Sequence, residues 1–161
     1  MTAMFSQTAE YALRIVVYLA SLDGEAPATI AEIATATRTP PGYLAKVLRQ
    51  LARANLIHSQ RGPHGGSVLA RDAGHITVYD VVQAVDPIQR ITTCPLGIRA
   101  HGVKLCPLHL RLDSAIAMVE RAFKDSPISE LIVPRRGGSR ALCDEPAIAK
   151  RTKRTRSLPV L

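Results

Sequence analysis

Three cysteines, Cys94, Cys106 and Cys143, have the widest chemical reach of any residues in this chain. Their odd number and uneven spacing make a poor disulfide framework and fit a reducing compartment, where thiols serve metals or redox chemistry. Cys143 stands among Asp144, Glu145 and Pro146 and reads as an incidental thiol, so attention falls on Cys94 and Cys106. A second set lies upstream. On a helix, Tyr43, Lys46, Gln50 and Arg53 share one face that offers aromatic, cationic and amide groups to phosphates and base edges, with Arg49 near its edge. An ordinary solvated surface face has the same composition.

These residues need elements to hold them. From about Ser6 to Leu22, apolar residues recur at helical spacing and stop at Asp23-Gly24. Thr29-Ile30-Ala31-Glu32 has the form of a capping box and opens a short second helix to about Ala36. Thr39 then precedes Pro40 and Pro41, harmless in a first turn, and Leu44, Val47, Leu48 and Leu51 repeat as the buried stripe of a third helix to about Ala54. Two short segments, Ile57-His58-Ser59-Gln60 and Ser67-Val68-Leu69-Ala70, flank the turn-rich Arg61-Gly62-Pro63-His64-Gly65-Gly66 and predict a β-hairpin. Its tip joins a cation to glycines that let backbone approach a DNA groove, although a plain turn reads the same way. Thr77 caps a further helix to about Val85, closed by Asp86-Pro87. After a loop of some twenty residues, Cys106-Pro107 opens a long helix whose stripe is Leu108, Leu112, Ala115, Ile116, Val119 and Phe123, ending near Lys124.

The expected fold is therefore mainly α with one small hairpin, a winged helix-turn-helix at 1–76 followed by a cysteine loop and long helix at 77–133. From Pro134 onward periodicity disappears, and 134–161 reads as a disordered basic tail. This tail carries most of the net charge of +8: residues 1–133 hold 13 Lys/Arg against 11 Asp/Glu, residues 134–161 hold 8 against 2. Charge alone is thus no argument for DNA binding by the folded part. The chain is 47% apolar with a mean hydropathy of +0.07, as for a soluble globular protein. The apolar stretch from Ala12 to Leu22 contains Arg14 and is too short for a bilayer, and no cleavable leader pattern precedes it, so a cytoplasmic protein without membrane contact is expected. A Gly-rich phosphate loop, an HExxH motif and a nucleophile elbow are all missing, which argues against an enzyme.

Tyr11-Ala12-Leu13-Arg14 in the first helix, Tyr43-Leu44-x-x-Val47-Leu48-x-x-Leu51 in the third, and Arg61-Gly62-x-x-Gly65-Gly66 at the hairpin together carry a resemblance. Over roughly residues 5–125 the chain resembles the winged helix-turn-helix transcription regulators of the IscR, NsrR and RirA type, the Rrf family. The resemblance implies a double-stranded DNA operator as partner. The candidate contacts are Thr39, Tyr43, Lys46, Arg49, Gln50 and Arg53 from the third helix, with Arg61, His64 and Gly65 from the wing. It also implies a homodimer in which the last long helix pairs with its twin, and the stripe from Leu108 to Phe123 suggests such a seam. A helix packed within one monomer would carry the same stripe.

Regulators of this type commonly hold an iron–sulfur cluster on three cysteines in the loop before the dimer helix, five residues between neighbours. Here Cys94 and Cys106 keep the outer spacing, but the middle position is Ala100. The resemblance offers His109, one helical turn beyond Cys106, as a third metal ligand, with His101 a weaker choice and Glu10, from the first helix of the partner subunit, as a fourth. Soft thiolates suit such clusters, and imidazole can replace a thiolate at one iron. Without a third cysteine, a [2Fe–2S] cluster is expected over [4Fe–4S]. The resemblance thus points to a repressor whose cluster senses redox state, nitric oxide or iron supply. The alternative is a cluster-free regulator that answers to a thiol switch, a small molecule or a protein partner.

Overall fold

The computed structural model describes residues 6–22, 27–60, 62, 65–94 and 105–132. Arg61, His64, Ala100, His101, Cys143 and the basic tail lie outside the described residues.

Helix α1 spans Gln7–Ser21 and starts where the Ser6 hydroxyl accepts the Ala9 N–H. Its Ala9, Ala12, Ile15 and Val16 are fully buried, which makes it the central post of the molecule. Helix α2, Ile30–Thr37, begins with the expected capping box, Thr29 and Glu32 each satisfying the other's backbone N–H. It ends at Arg38, whose φ of 52° turns the chain sharply. Helix α3, Pro41–Arg53, follows directly and buries Leu44, Val47, Leu48 and Leu51 against α1, α2 and the next helix. At its end Asn55 takes a φ of 54°, a conformation Asn tolerates, and Leu56 N–H returns to the Leu51 carbonyl.

Strands β1, Ile57–Gln60, and β2, Gly66–Leu69, pair antiparallel with Ile57 opposite Leu69 and Gln60 opposite Gly66. At the turn Gly62 has a φ of 117°, where a side chain would be strained, and Gly65 N–H donates to the Gly62 carbonyl. The sequence did not announce what lies on the other edge of β2. Ala28 and Ser67 exchange both backbone hydrogen bonds, at 3.0 and 2.8 Å, so the segment leading into α2 adds a one-residue bridge to the free edge of β2. Gly66 is spent on this contact rather than on a groove: a Cβ there would stand 2.7 Å from the Ala28 carbonyl oxygen and 2.8 Å from Pro27 Cβ. Gly66→Ala should therefore lower stability by about 1–3 kcal/mol, measured as a fall in the thermal midpoint. An unchanged midpoint would mean that the Pro27–Ala28 edge yields freely.

Helix α4, Val78–Val85, carries the predicted cap at Thr77, closed by Asp80. Helix α5, Pro107–Lys124, matches the expected bounds. Two small elements were not expected: a 3-10 turn at Ala73–His75 and the short helix α6, Ser129–Ile132. The latter is seated by Ile128, which is fully buried and donates its N–H to Ile76. Among the described residues no helix is long and apolar enough to cross a membrane.

Candidate nucleic-acid interface and metal centre

The α2–turn–α3 unit places α3 on the surface with β1 running from its end, so the exposed side of α3 and the hairpin tip belong to one connected unit. At about 100° per residue, Tyr43 and Gln50 fall only about 90–110° from the centre of the buried Leu/Val stripe, whereas Lys46, Arg49 and Arg53 fall about 150° or more away. Exposure follows this geometry. Lys46, Arg49 and Arg53 are exposed, and Tyr43 and Gln50 are half-buried.

Tyr43 serves packing. Its hydroxyl is 2.9 Å from Thr8 Oγ1, and its ring meets Tyr11 edge-on at 5.7 Å between centroids. The Tyr11-Ala12-Leu13-Arg14 motif is thus largely the seat of α3, with Ala12 and Leu13 in the core. The Lys46 ammonium lies over the Tyr43 ring, 5.7 Å from its centroid. Gln50 Oε1 is buried and has no hydrogen-bond partner among the described residues.

Thr39 needs a correction. Only 2% of it is exposed, and its hydroxyl is 2.8 Å from that of Thr37, which in turn donates to Ile33. It locks the α2–α3 turn and offers no side chain to a groove. The N-cap residue of α3 is Pro40, which has no side-chain oxygen to cap with, and the turn before it carries the buried Thr37–Thr39 hydroxyl pair. Sequence reasoning passed over exposed Arg38, which the left-handed turn presents between the two helices.

The second site forms at the start of α5. Cys106 is its N-cap residue and makes no side-chain cap bond, so the thiol is available elsewhere. His109, only 8% exposed, is the sole buried residue of α5 among those described. Its Nδ1 is 3.1 Å from Cys106 Sγ and 3.6 Å from Cys94 Sγ, and the three ligand atoms all lie within 4.8 Å of one another. Two donors on one metal, with metal–sulfur and metal–nitrogen bonds near 2.3 and 2.0 Å, stand about 3.6 Å apart, so the sulfur–nitrogen spacings of 3.1 and 3.6 Å suit a group that could hold a metal. Glu10 is not in the group; its Oε1 accepts from Arg14 at 2.6 Å on the same helix.

A polar network runs along α5. Arg90 Nε and Nη2 donate to the two oxygens of Asp113 at 2.7 and 2.6 Å, and Ile91 N–H donates to the same carboxylate at 2.9 Å. Hydrogen bonding from Arg90 is the main reason the Asp113 carboxyl is held below the usual carboxylate range. Glu120 is likewise lowered, first by Lys124, which lies 3.0 Å away, and then by Tyr79. Sequence reasoning missed this network because its central pair is 23 residues apart and meets only through the tertiary fold.

Helix α5 leaves much of its apolar surface open. Leu108, Leu112 and Met118 are 61%, 46% and 68% exposed. A groove of about 330 Å³ between α4 and α5 is lined by Val82, Ile88, Leu112, Ile116, Val119 and Phe123 among others.

A helix-turn-helix body with a two-stranded wing, and a group of two cysteines and a histidine before a long helix, is the architecture of a winged-helix transcription regulator. The family model for Rrf2, described as an iron-dependent transcriptional regulator, matches residues 5–134, and the chain belongs to this family. It is a DNA-binding transcription regulator, not an enzyme. It is 29% identical over 132 residues, 80% of this chain and 91% of the other, to an Aquifex aeolicus protein named as an HTH-type transcriptional regulator. In fold it is similar to CymR, the global cysteine regulator of B. subtilis, with a TM-score of 0.67 at 23% identity over 81% of this chain and 97% of that one. It is also similar to T. potens IscR, with a TM-score of 0.66 at 20% identity over 82% and 88% of the two chains. The oxidized form of Staphylococcus aureus CymR gives 0.64 at 21% identity over 81% and 96%.

Proposed function

We propose that the protein is a homodimeric repressor whose affinity for a two-fold-related DNA site is set by an iron–sulfur cluster at Cys94, Cys106 and His109. The convergence of two thiols and one imidazole nitrogen within 4.8 Å, at the head of the helix that would pair the subunits, carries this reading. A [2Fe–2S] cluster takes two protein donors at each iron, so one subunit supplies three and Glu10 of the partner subunit is the fourth. A three-thiolate site would need the donor that Ala100 lacks. When bound, the cluster supplies a reversible one-electron change of charge. The protein's own part is to hold that charge where α5 meets its twin, so that a small rotation between subunits changes the separation of the two α3 helices.

Residues 1–76 act as the reader and 77–133 as the sensing and pairing region in this account, with 134–161 a basic tail that adds nonspecific phosphate attraction. Lys46, Arg49 and Arg53 are the groove-facing cations, joined by Arg61, His64 and Gly65 at the wing, while Tyr43 and Gln50 border the interface. The exposed stripe of α5 supports the dimer, since a monomer leaving Leu108, Leu112 and Met118 in water gains by covering them. Leu112→Glu should accordingly shift the mass measured by light scattering from dimer towards monomer, and a dimeric variant would place the seam elsewhere.

One observation favours a second reading. The sulfurs of Cys94 and Cys106 lie within 4.8 Å of each other, the proximity that a thiol switch requires. Anaerobic purification with iron and acid-labile sulfide assays separates the two. A coloured protein holding iron and sulfide in equal amounts supports the cluster, and a colourless one with two titratable thiols lost on oxidation supports the switch.

A further inference from the structure

Cys106 and His109 sit on the first turn of one helix, so α5 itself fixes their separation. Cys94 is not on that helix. It stands on an irregular segment, twelve positions before Cys106, and must be carried to the other two ligands by whatever holds that segment down. Among the described residues one carboxylate does so with three bonds: both Asp113 oxygens accept the Arg90 guanidinium and Oδ1 also accepts the Ile91 N–H. The Asp113 side chain is only 14% exposed, and Arg90 additionally lies 3.6 Å from Glu120 one and a half to two turns further on.

We propose that Asp113 is a positioning residue for the Cys94/Cys106/His109 centre and that its clamp on Arg90 and Ile91 sets how closely Cys94 approaches the two ligands on α5. The distances suit the task. Asp113 is four residues past His109, about 6 Å along the helix axis. Cys94 is three residues past Ile91, a span of at most about 11 Å. Pinning Ile91 at Asp113 therefore confines the Cys94 thiol to the neighbourhood of the first turns of α5, and the ordering cost of the segment is met by the clamp before any metal arrives. A bidentate guanidinium–carboxylate pair suits this role because it fixes orientation as well as distance. Partners of this indirect kind typically alter metal affinity about 10–100-fold when removed.

The inference rests on the proposed metal centre, and its test separates the two. Reduced, metal-free full-length protein is titrated anaerobically with Co²⁺, whose thiolate charge-transfer absorption reports ligation by cysteine, and thermal midpoints of the metal-free proteins are taken alongside. Wild type is expected to show the thiolate band. Asp113→Ala and Arg90→Ala are expected to weaken Co²⁺ binding about 10–100-fold, with Asp113→Asn between them and wild type, and the double variant no weaker than Asp113→Ala alone. Far-UV circular dichroism should stay unchanged in each. Should Asp113→Ala fail to fold, Arg90→Ala, at a half-exposed position, tests the same pair. Wild-type binding with unchanged affinity in the variants overturns the clamp and leaves the centre standing. A wild type without any thiolate band overturns the centre and the clamp with it.

Discussion

Replacing Cys106 by alanine should strip the anaerobically reconstituted protein of its iron, sulfide and visible absorption while leaving a folded dimer, and Cys94→Ala should do the same. The loss is expected to be complete rather than partial, because a centre with three donors from one subunit cannot spare one of only two thiolates. The fold should survive for local reasons. Cys106 makes no capping hydrogen bond, Pro107 already favours the helix start, and Cys94 lies outside any helix or strand. His109→Ala should shift the spectrum or destabilise the centre, at some structural cost because His109 is the buried residue of α5. Glu10→Ala should have the smallest effect of the four. Wild-type spectra in both cysteine variants would remove the sensing site from this region.

The second large effect is expected on the reading face. Joint replacement of Lys46, Arg49 and Arg53 by alanine should weaken operator binding at least about 100-fold, counting about 1 kcal/mol or more for each lost cation contact. It should also flatten the dependence of affinity on salt, since fewer phosphate counterions would be released. All three side chains are exposed and outside the core, so the thermal midpoint should change little. Tyr43→Phe makes the useful contrast: it removes the bond to Thr8 and should cost about 0.5–1.5 kcal/mol of stability with little change in sequence preference. Binding by the triple variant at wild-type strength, measured by fluorescence anisotropy, would place the DNA surface away from α3.

Much of this arrangement was legible in the sequence because local rules and global fold agree. Both capping boxes, the Pro-led starts of α3 and α5, and the i, i+3, i+4, i+7 stripe of α3 each specify an element without help from distant residues. The flanks of α3 were less legible. Spacing put Tyr43 and Gln50 on the outer face with Arg49 at its edge, but α1 packs against Tyr43, Gln50 is half-buried, and Arg49 is the more exposed. Thr39 was illegible for a related reason: nothing in its type distinguishes a groove-facing hydroxyl from one buried beside Thr37. The Ala28–Ser67 pairing and the Arg90–Asp113 clamp join residues 39 and 23 positions apart and leave no periodic trace. Cys94, Cys106 and His109, by contrast, were singled out by spacing and resemblance, and the fold brings their ligand atoms together.

The central claim is that occupancy of this centre governs DNA affinity. Its most direct test is the dissociation constant for one operator duplex, measured at fixed salt on a single preparation before and after the cluster is removed by chelation under anaerobic conditions, with Cys106→Ala as control. The account predicts at least about a tenfold difference between the two wild-type states, about 1.4 kcal/mol of coupling, and no response to chelation in the variant. Equal constants for the loaded and stripped wild-type protein would contradict it.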